Sequence, residues 1–184
     1  MRNTDRNAVR RLLTHARYEI LPTATIEAKV LDAVPTTVPL TVTASPSMGL
    51  ERTIATAERL AEQGYTVVPH LAARMVSGRS ELEELVERLQ KAGVTNVFVP
   101  GGDADAVGDY ADALSMLEDL TEIGRPFAQV GVTGYPESHP MIHDDLTVQS
   151  MWDKRRHATY IVSNLTFDPA VIKDWVHRLR LRGV

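Results

Sequence analysis

The feature that most restricts this chain is a repeated alternation. Short apolar runs rich in β-branched residues recur at intervals of about 22–32 residues, with longer segments of helical period between them. The runs are residues 18–21, 40–43, 66–68, 96–99, 129–133 and 159–163. Several are apolar at consecutive positions, as in Val97-Phe98-Val99 and Ile161-Val162, the pattern of a strand buried on both faces. That favours a parallel sheet covered by helices. Six βα units fit in the 184 residues, whereas a closed eight-unit barrel takes about 250. The expected fold class is therefore α/β, of (βα) TIM-barrel type, with about six of eight units present in an incomplete or open barrel.

The helical segments carry legible punctuation. Ser80 with Glu83 makes a capping-box pattern ahead of Leu82, Leu85, Val86 and Leu89, with Gly93 as terminator. An earlier helix places Ile54, Ala57, Leu60 and Ala61 on one face and stops at Gly64. Another runs over 110–123 to Gly124-Arg125-Pro126, and Asp168-Pro169 opens a last helix that ends at Gly183. Residues 4–16 read as an extra N-terminal helix with Val9, Leu12, Leu13 and Ala16 on its apolar face. No linker or composition break divides the chain, so 1–184 reads as one partial barrel domain.

Composition removes several functions. Without cysteine there is no disulfide, thiolate metal site or cysteine nucleophile. A formal charge of -4 argues against general nucleic-acid binding, which rests on clustered cations. No apolar stretch approaches the roughly 20 residues that span a bilayer, and the N-terminus has no signal-peptide core. The expectation is a cytoplasmic protein that binds neither nucleic acid nor membrane.

In barrels and open α/β sheets the reacting groups gather at the C-terminal ends of the strands. Here those ends carry Glu19; Thr41 and Thr43; His70; Asp103 after Gly101-Gly102; the stiff segment Tyr135-Pro136-Glu137-Ser138-His139-Pro140; and Asn164 with Phe167 and Asp168 beyond it. Glu19, inside an apolar strand, can serve as an acid or simply pair with an arginine. His70 suits a structural role as well as a ligand contact, and Asp103 suits a turn. Two prolines, an acid, a histidine and a tyrosine within 135–140 are harder to assign to structure alone. No His-x-His pair, Rossmann fingerprint or G-x-S-x-G elbow occurs, and no metal site is expected. Lys154-Arg155-Arg156-His157 and the later cations read as solvated helix faces, with Lys154 the best placed for an anion.

In their order, these strand-end residues resemble the methylenetetrahydrofolate reductase family. Glu19-Ile20-Leu21-Pro22 matches a glutamate–proline motif on the first strand. Thr43-Ala44-Ser45 with Arg52-Thr53, Pro69-His70-Leu71-Ala72, Gly101-Gly102-Asp103 with Tyr110, Ala111 and Leu114, and Lys154 with Asn164, Phe167 and Asp168 match later ones. The most specific match is 135–140. The resemblance implies a barrel reductase that converts 5,10-methylenetetrahydrofolate to 5-methyltetrahydrofolate, a step of one-carbon metabolism that feeds methionine biosynthesis. It implies Glu19 as the general acid that opens the five-membered ring and Asp103 as a second catalytic group beside cofactor and pterin. Thr43, His70, Tyr135, His139 and Lys154 would line the cofactor site, with Asn164 and Phe167 on the folate. A carboxyl facing a cavity with apolar walls would keep its proton near neutral pH.

The cofactors implied are NAD(P)H and FAD. The departures from the family pattern cluster on the flavin side: Gly101 stands where the family has an arginine, Ala44-Ser45 replaces a tyrosine–glycine pair, and Arg155-Arg156-His157-Ala158 replaces Asp-Ala-Gly-Ala. They point to weak or absent FAD binding, with NAD(P)H giving its hydride directly to the folate. The competing expectation is a non-catalytic folate- or nucleotide-binding barrel remnant. A shortened barrel would also leave the first and sixth strands as open edges, able to pair with a second copy.

Overall fold

The computed structural model describes residues 3–184, with side chains from residue 6. Strands β1 (Tyr18–Ile20), β2 (Leu40–Val42), β3 (Val67–Pro69), β4 (Asn96–Phe98), β5 (Gln129–Gly134) and β6 (Tyr160–Ser163) alternate with α2 (Ile26–Ala33), α3 (Leu50–Glu62), α4 (Arg79–Lys91), α5 (Ala113–Glu122), α6 (Asp144–Lys154) and α7 (Pro169–Leu181). Helix α1 (Asn3–Thr14) precedes them, and a 3-10 turn, Ala73–Met75, leads into α4. All strand pairing is parallel, in the ladders β1-β2-β3 and β4-β5-β6. A parallel bridge between His70 and Phe98, with the Leu71 amide 2.8 Å from the Phe98 carbonyl, joins the two ladders into one six-stranded order. Among the described residues β1 and β6 share no ladder, so the barrel is open.

The core lies between the sheet and its helices. Leu40, Val42, Val67, Val97, Val99, Val130 and Val132 meet Ile54, Ala57, Leu60, Leu82, Leu85, Leu89, Met116 and Leu117, all buried. Each such side chain gains about 1.5–3 kcal/mol on leaving water. The α3 stripe packs as its spacing requires, and the chain leaves the helix through Gly64 at φ +87°. Strands β2, β3 and β4 are buried throughout, as a covered parallel sheet demands, but β1 and β6 are not: Tyr18 is 51% and Val162 41% exposed. The apolar pair Ile161-Val162 therefore marks an open edge, not a doubly buried strand.

Several local expectations need correction. Helix α4 begins at Arg79 after Gly78, with no cap from Ser80; Glu81 instead reaches back to the amide and hydroxyl of Ser77, while Glu83 pairs with Arg79. Helix α5 starts at Ala113 with Asp112 accepting from the Leu114 and Ser115 amides, and Tyr110 lies outside it, buried, with its hydroxyl donating to Asp119. The third strand is shifted by one residue, to Val67–Pro69. Helices α2 and α6 had no separate sequence signal: the first is short, and in the second the apolar residues are spread around the helix rather than gathered on one face. Helix α1 forms, but Val9, Leu12 and Leu13 are exposed, so its apolar stripe covers nothing in this chain.

One close contact shapes the sheet interior. A Cβ on Gly131 would lie 2.5 Å from the Tyr160 ring, so the glycine makes room for that ring between β5 and β6. Gly131→Ala is expected to cost about 1–3 kcal/mol through overpacking, whereas Leu12→Ser should change stability by less than about 0.5 kcal/mol. Urea denaturation followed by circular dichroism measures both, and equal effects would contradict this packing.

Candidate functional site

Register decides which side chains meet. Glu19 stands opposite Thr41, which stands opposite Val68, and alternation along parallel strands puts Thr43 and His70 on that same interior face. The Thr43 hydroxyl donates to Glu19 Oε1 at 2.9 Å. Thr43 is itself fixed from both sides: its amide donates to the Ile20 carbonyl at 2.9 Å, and the buried Thr53 donates to its carbonyl at 3.0 Å. The His70 amide donates to the Val42 carbonyl at 2.9 Å, and its ring lies 4.7 Å from that of Phe98, tilted by 57°. Three neighbouring strands thus bring together a carboxyl, a hydroxyl and an imidazole.

Burial pushes the His70 imidazole down to about 4; the nearby Glu19 carboxylate works against that shift, and the Arg17 cation with it. Glu19 itself is exposed, because β1 has a neighbour on one side only among the described residues. The apolar walls that the sequence suggested around this carboxyl are therefore not supplied by the chain itself.

Below this group lies a polar layer that sequence reasoning missed. The Arg17 guanidinium donates to the Tyr160 hydroxyl at 3.3 Å and sits 5.6 Å from the ring centre. That hydroxyl donates to Asn96 Oδ1 at 2.8 Å, and Asn96 Nδ2 donates to Gln129 Oε1 at 2.8 Å. The gap between β1 and β6, which no backbone ladder closes, is spanned here by side chains. The available signal was polar residues at 96 and 129 at the start of otherwise apolar strands.

The other expected site residues lie further out. Asp103, on the loop between β4 and α5, is exposed. Tyr135 and His139 pair edge to face at 4.8 Å, and His139 Nδ1 accepts from the Met141 and Ile142 amides, which puts the proton of the neutral ring on Nε2. Ser138, at φ +74°, donates to Asp144 and ties this loop to the start of α6. The Asn164 amide donates to the Gly134 carbonyl with its side chain exposed, and Phe167 is 86% exposed. Asp168 caps α7 through the Ala170 amide, as its sequence context suggested.

Lys154 differs from the solvated cluster in which the sequence placed it. It closes α6 and is only 8% exposed, it forms no salt bridge among the described residues, and burial lowers its proton affinity against the opposing effect of Asp112 and Asp153. A resident dinucleotide would bring a diphosphate that needs cations or clustered amides. Position 101 is glycine, the Arg74 guanidinium donates to backbone carbonyls, and Lys154 faces Asp112 and Asp153 from the helix layer. These donors do not gather around one anion, so the residues present do not fit a tightly held FAD.

Comparison with known proteins agrees with this architecture. The family model described as methylenetetrahydrofolate reductase matches residues 24–184. Glu19 lies just ahead of the matched span. Among solved structures, a protein described as a phosphonomutase from Burkholderia cenocepacia J2315 is similar, with a TM-score of 0.54 and 14% identity over 91% of this chain and 77% of that one. At that identity the likeness is one of fold alone, a barrel-type α/β architecture.

The shift of His70 has a measurable consequence. An unfolded histidine takes up its proton near 6.5, whereas native His70 does so near 4. Between those values the unfolded chain binds the extra proton, so this contribution to stability is complete above about pH 6.5 and is lost as pH falls toward 4. Nuclear magnetic resonance should show a His70 ring that stays neutral down to about pH 5, and His70→Asn should flatten the stability profile over that window. A His70 ring that titrates near 6.5 would contradict the burial described.

Proposed function

The chain belongs to the methylenetetrahydrofolate reductase family, and from that premise we propose that it transfers a hydride from NAD(P)H to 5,10-methylenetetrahydrofolate, giving 5-methyltetrahydrofolate, with Glu19 as the general acid. The observation that carries this reading is the convergence of Glu19, Thr43 and His70 on one face of three adjacent strands. Thr43 donates to Oε1 and so holds the carboxyl in place, leaving its other oxygen for a substrate contact. A folate ring laid over β1 would supply the apolar cover that the chain lacks and exclude water from the carboxyl.

In this reading Glu19 gives its proton to the ring nitrogen that leaves the methylene carbon. The carbon–nitrogen bond breaks to an iminium, and the nicotinamide hydride adds to that carbon. The dinucleotide leaves oxidised, and solvent returns a proton to Glu19. The neutral imidazole of His70 places no second positive charge beside the carboxyl. NAD(P)H enters here as a transient substrate, held at the micromolar-to-millimolar level usual for substrates, and no step is routed through a resident flavin. Asp103, Tyr135, His139, Lys154, Asn164 and Phe167 stand as candidate contacts to dinucleotide and folate. The exposure of Glu19 favours one other reading, a folate-binding barrel without turnover.

Purified protein should oxidise NADH or NADPH only when methylenetetrahydrofolate is present, and its absorbance spectrum should lack a flavin band. Glu19→Gln should lower turnover by about 10²–10⁴-fold, the usual worth of a positioned acid. Full activity of that variant would remove the acid role. A stoichiometric flavin spectrum would remove the direct transfer, and folate binding without dinucleotide oxidation would favour the second reading.

A further inference from the structure

The segment between β4 and α5, residues 100–112, has no regular structure of its own and carries Asp103. Free loops of that length are mobile unless something holds them. What holds this one is the stretch that follows His70. The Ala73 amide donates to the Pro100 carbonyl, the Arg74 amide to the Gly101 carbonyl, the Val107 amide to the Arg74 carbonyl and the Asp109 amide to the Ser77 carbonyl, each at 3.0 Å. Arg74 then adds its side chain: Nε donates to the Ala111 carbonyl at 2.8 Å and Nη1 to the Gly102 carbonyl at 3.5 Å. One residue thereby grips the loop at 101, 102, 107 and 111, on both sides of Asp103.

The grip has a purpose that packing alone does not require. Arg74 forms no salt bridge among the described residues, unlike Arg59, Arg79 and Arg88, which lace helices together through glutamates. Its planar fork instead serves two backbone carbonyls on the loop, with two donors held in fixed geometry, which a lysine's single flexible ammonium would do less well. Gly102 sits at φ +92°, a left-handed conformation that favours glycine, and a Cβ there would lie 3.4 Å from the Ala72 Cβ, so the chain turns tightly over this stretch just before Asp103. Among the described residues the exposed Asp103 carboxylate has no side-chain hydrogen bond of its own.

We infer that Arg74 is a positioning residue, which locks the 100–112 loop to the His70 end of β3 and so places Asp103 for its part in the reaction. The catalytic half of this inference rests on the function proposed above; the structural half does not. The two are separated by measuring amide hydrogen exchange together with kcat and KM for methylenetetrahydrofolate-dependent NAD(P)H oxidation in Arg74→Ala, Arg74→Lys, Asp103→Asn and the Arg74→Ala/Asp103→Asn double variant. Arg74→Ala should speed exchange across 100–112 while α3 stays protected, and should lower kcat/KM by about 10–100-fold, as misplacing a reacting group by an ångström does. Arg74→Lys should recover part of both. In the Asp103→Asn background the alanine change should add less than about twofold, because coupled residues are not additive.

Unchanged exchange across 100–112 in both Arg74 variants would overturn the inference, and so would losses from Arg74→Ala and Asp103→Asn that simply multiply. If Asp103→Asn and Glu19→Gln both left turnover intact, the proposed chemistry would fall, while the exchange data would still decide whether Arg74 holds the loop.

Discussion

A single parallel bridge between His70 and Phe98, with the Leu71 amide on the Phe98 carbonyl, joins the two three-stranded ladders. Everything that converges in the interior depends on that junction. On one side the β1-β2-β3 register aligns Glu19 with Thr41 and Val68 and carries Thr43 and His70 two residues further. On the other, Phe98 fixes β5 and β6 through Gly131 and Tyr160. A slip of one residue at the bridge would turn every interior side chain of one half toward the helices, because side chains alternate with a period of two. The aromatic contact of His70 with Phe98 sits at that point, so the same pair that sets the register also buries the imidazole and keeps it neutral.

The open side of the sheet explains the electrostatics. In a closed barrel each interior group is walled by neighbours on both sides, and a carboxyl on the first strand would be desolvated by the protein. Here β1 and β6 have one neighbour each, and Arg17, Tyr160, Asn96 and Gln129 bridge the gap by side-chain hydrogen bonds. Such a bridge restrains the edges without excluding water. His70, two strands in from the edge at β1, is half-buried, while Glu19 on the edge strand remains exposed.

The alternation of apolar runs made the strand order and the barrel type legible before any coordinates, and helix ends were readable where one residue dominates, as at Gly64, Asp168 and Pro169. What failed to show had a tertiary cause. Whether Ser80 or Glu81 would anchor the start of α4 depended on the Ser77 amide, which the 100–112 loop draws into place through Asp109. The sequence set Lys154 apart from its cluster as the best placed cation, but not its burial, which follows from tertiary packing. The interior residues Thr43 and His70 were legible as strand-end polar groups, but their contact with Glu19 follows from register. The polar layer below left only the polar residues at 96 and 129 as a signal; its link to Arg17 was hidden, since Arg17 and Tyr160 are 143 residues apart in the chain.

The arginines show how this fold separates stability from function. Arg88 spans Glu51 and Glu58 of α3, Arg79 reaches Glu83 and Glu122, and Arg59 reaches Glu27, so charged pairs stitch successive helices on the outer layer. These pairs are partly exposed and contribute little individually; their effect is to fix how one helix leans on the next. Arg17 and Arg74 spend the same group differently, on a hydroxyl and on carbonyls that face the interior and the strand ends. Each of these guanidiniums orders the chain through neutral oxygens, with no carboxylate partner among the described residues. At the 100–112 loop the Arg74 side chain adds to the four backbone hydrogen bonds that hold the same segment, a role no apolar contact could fill.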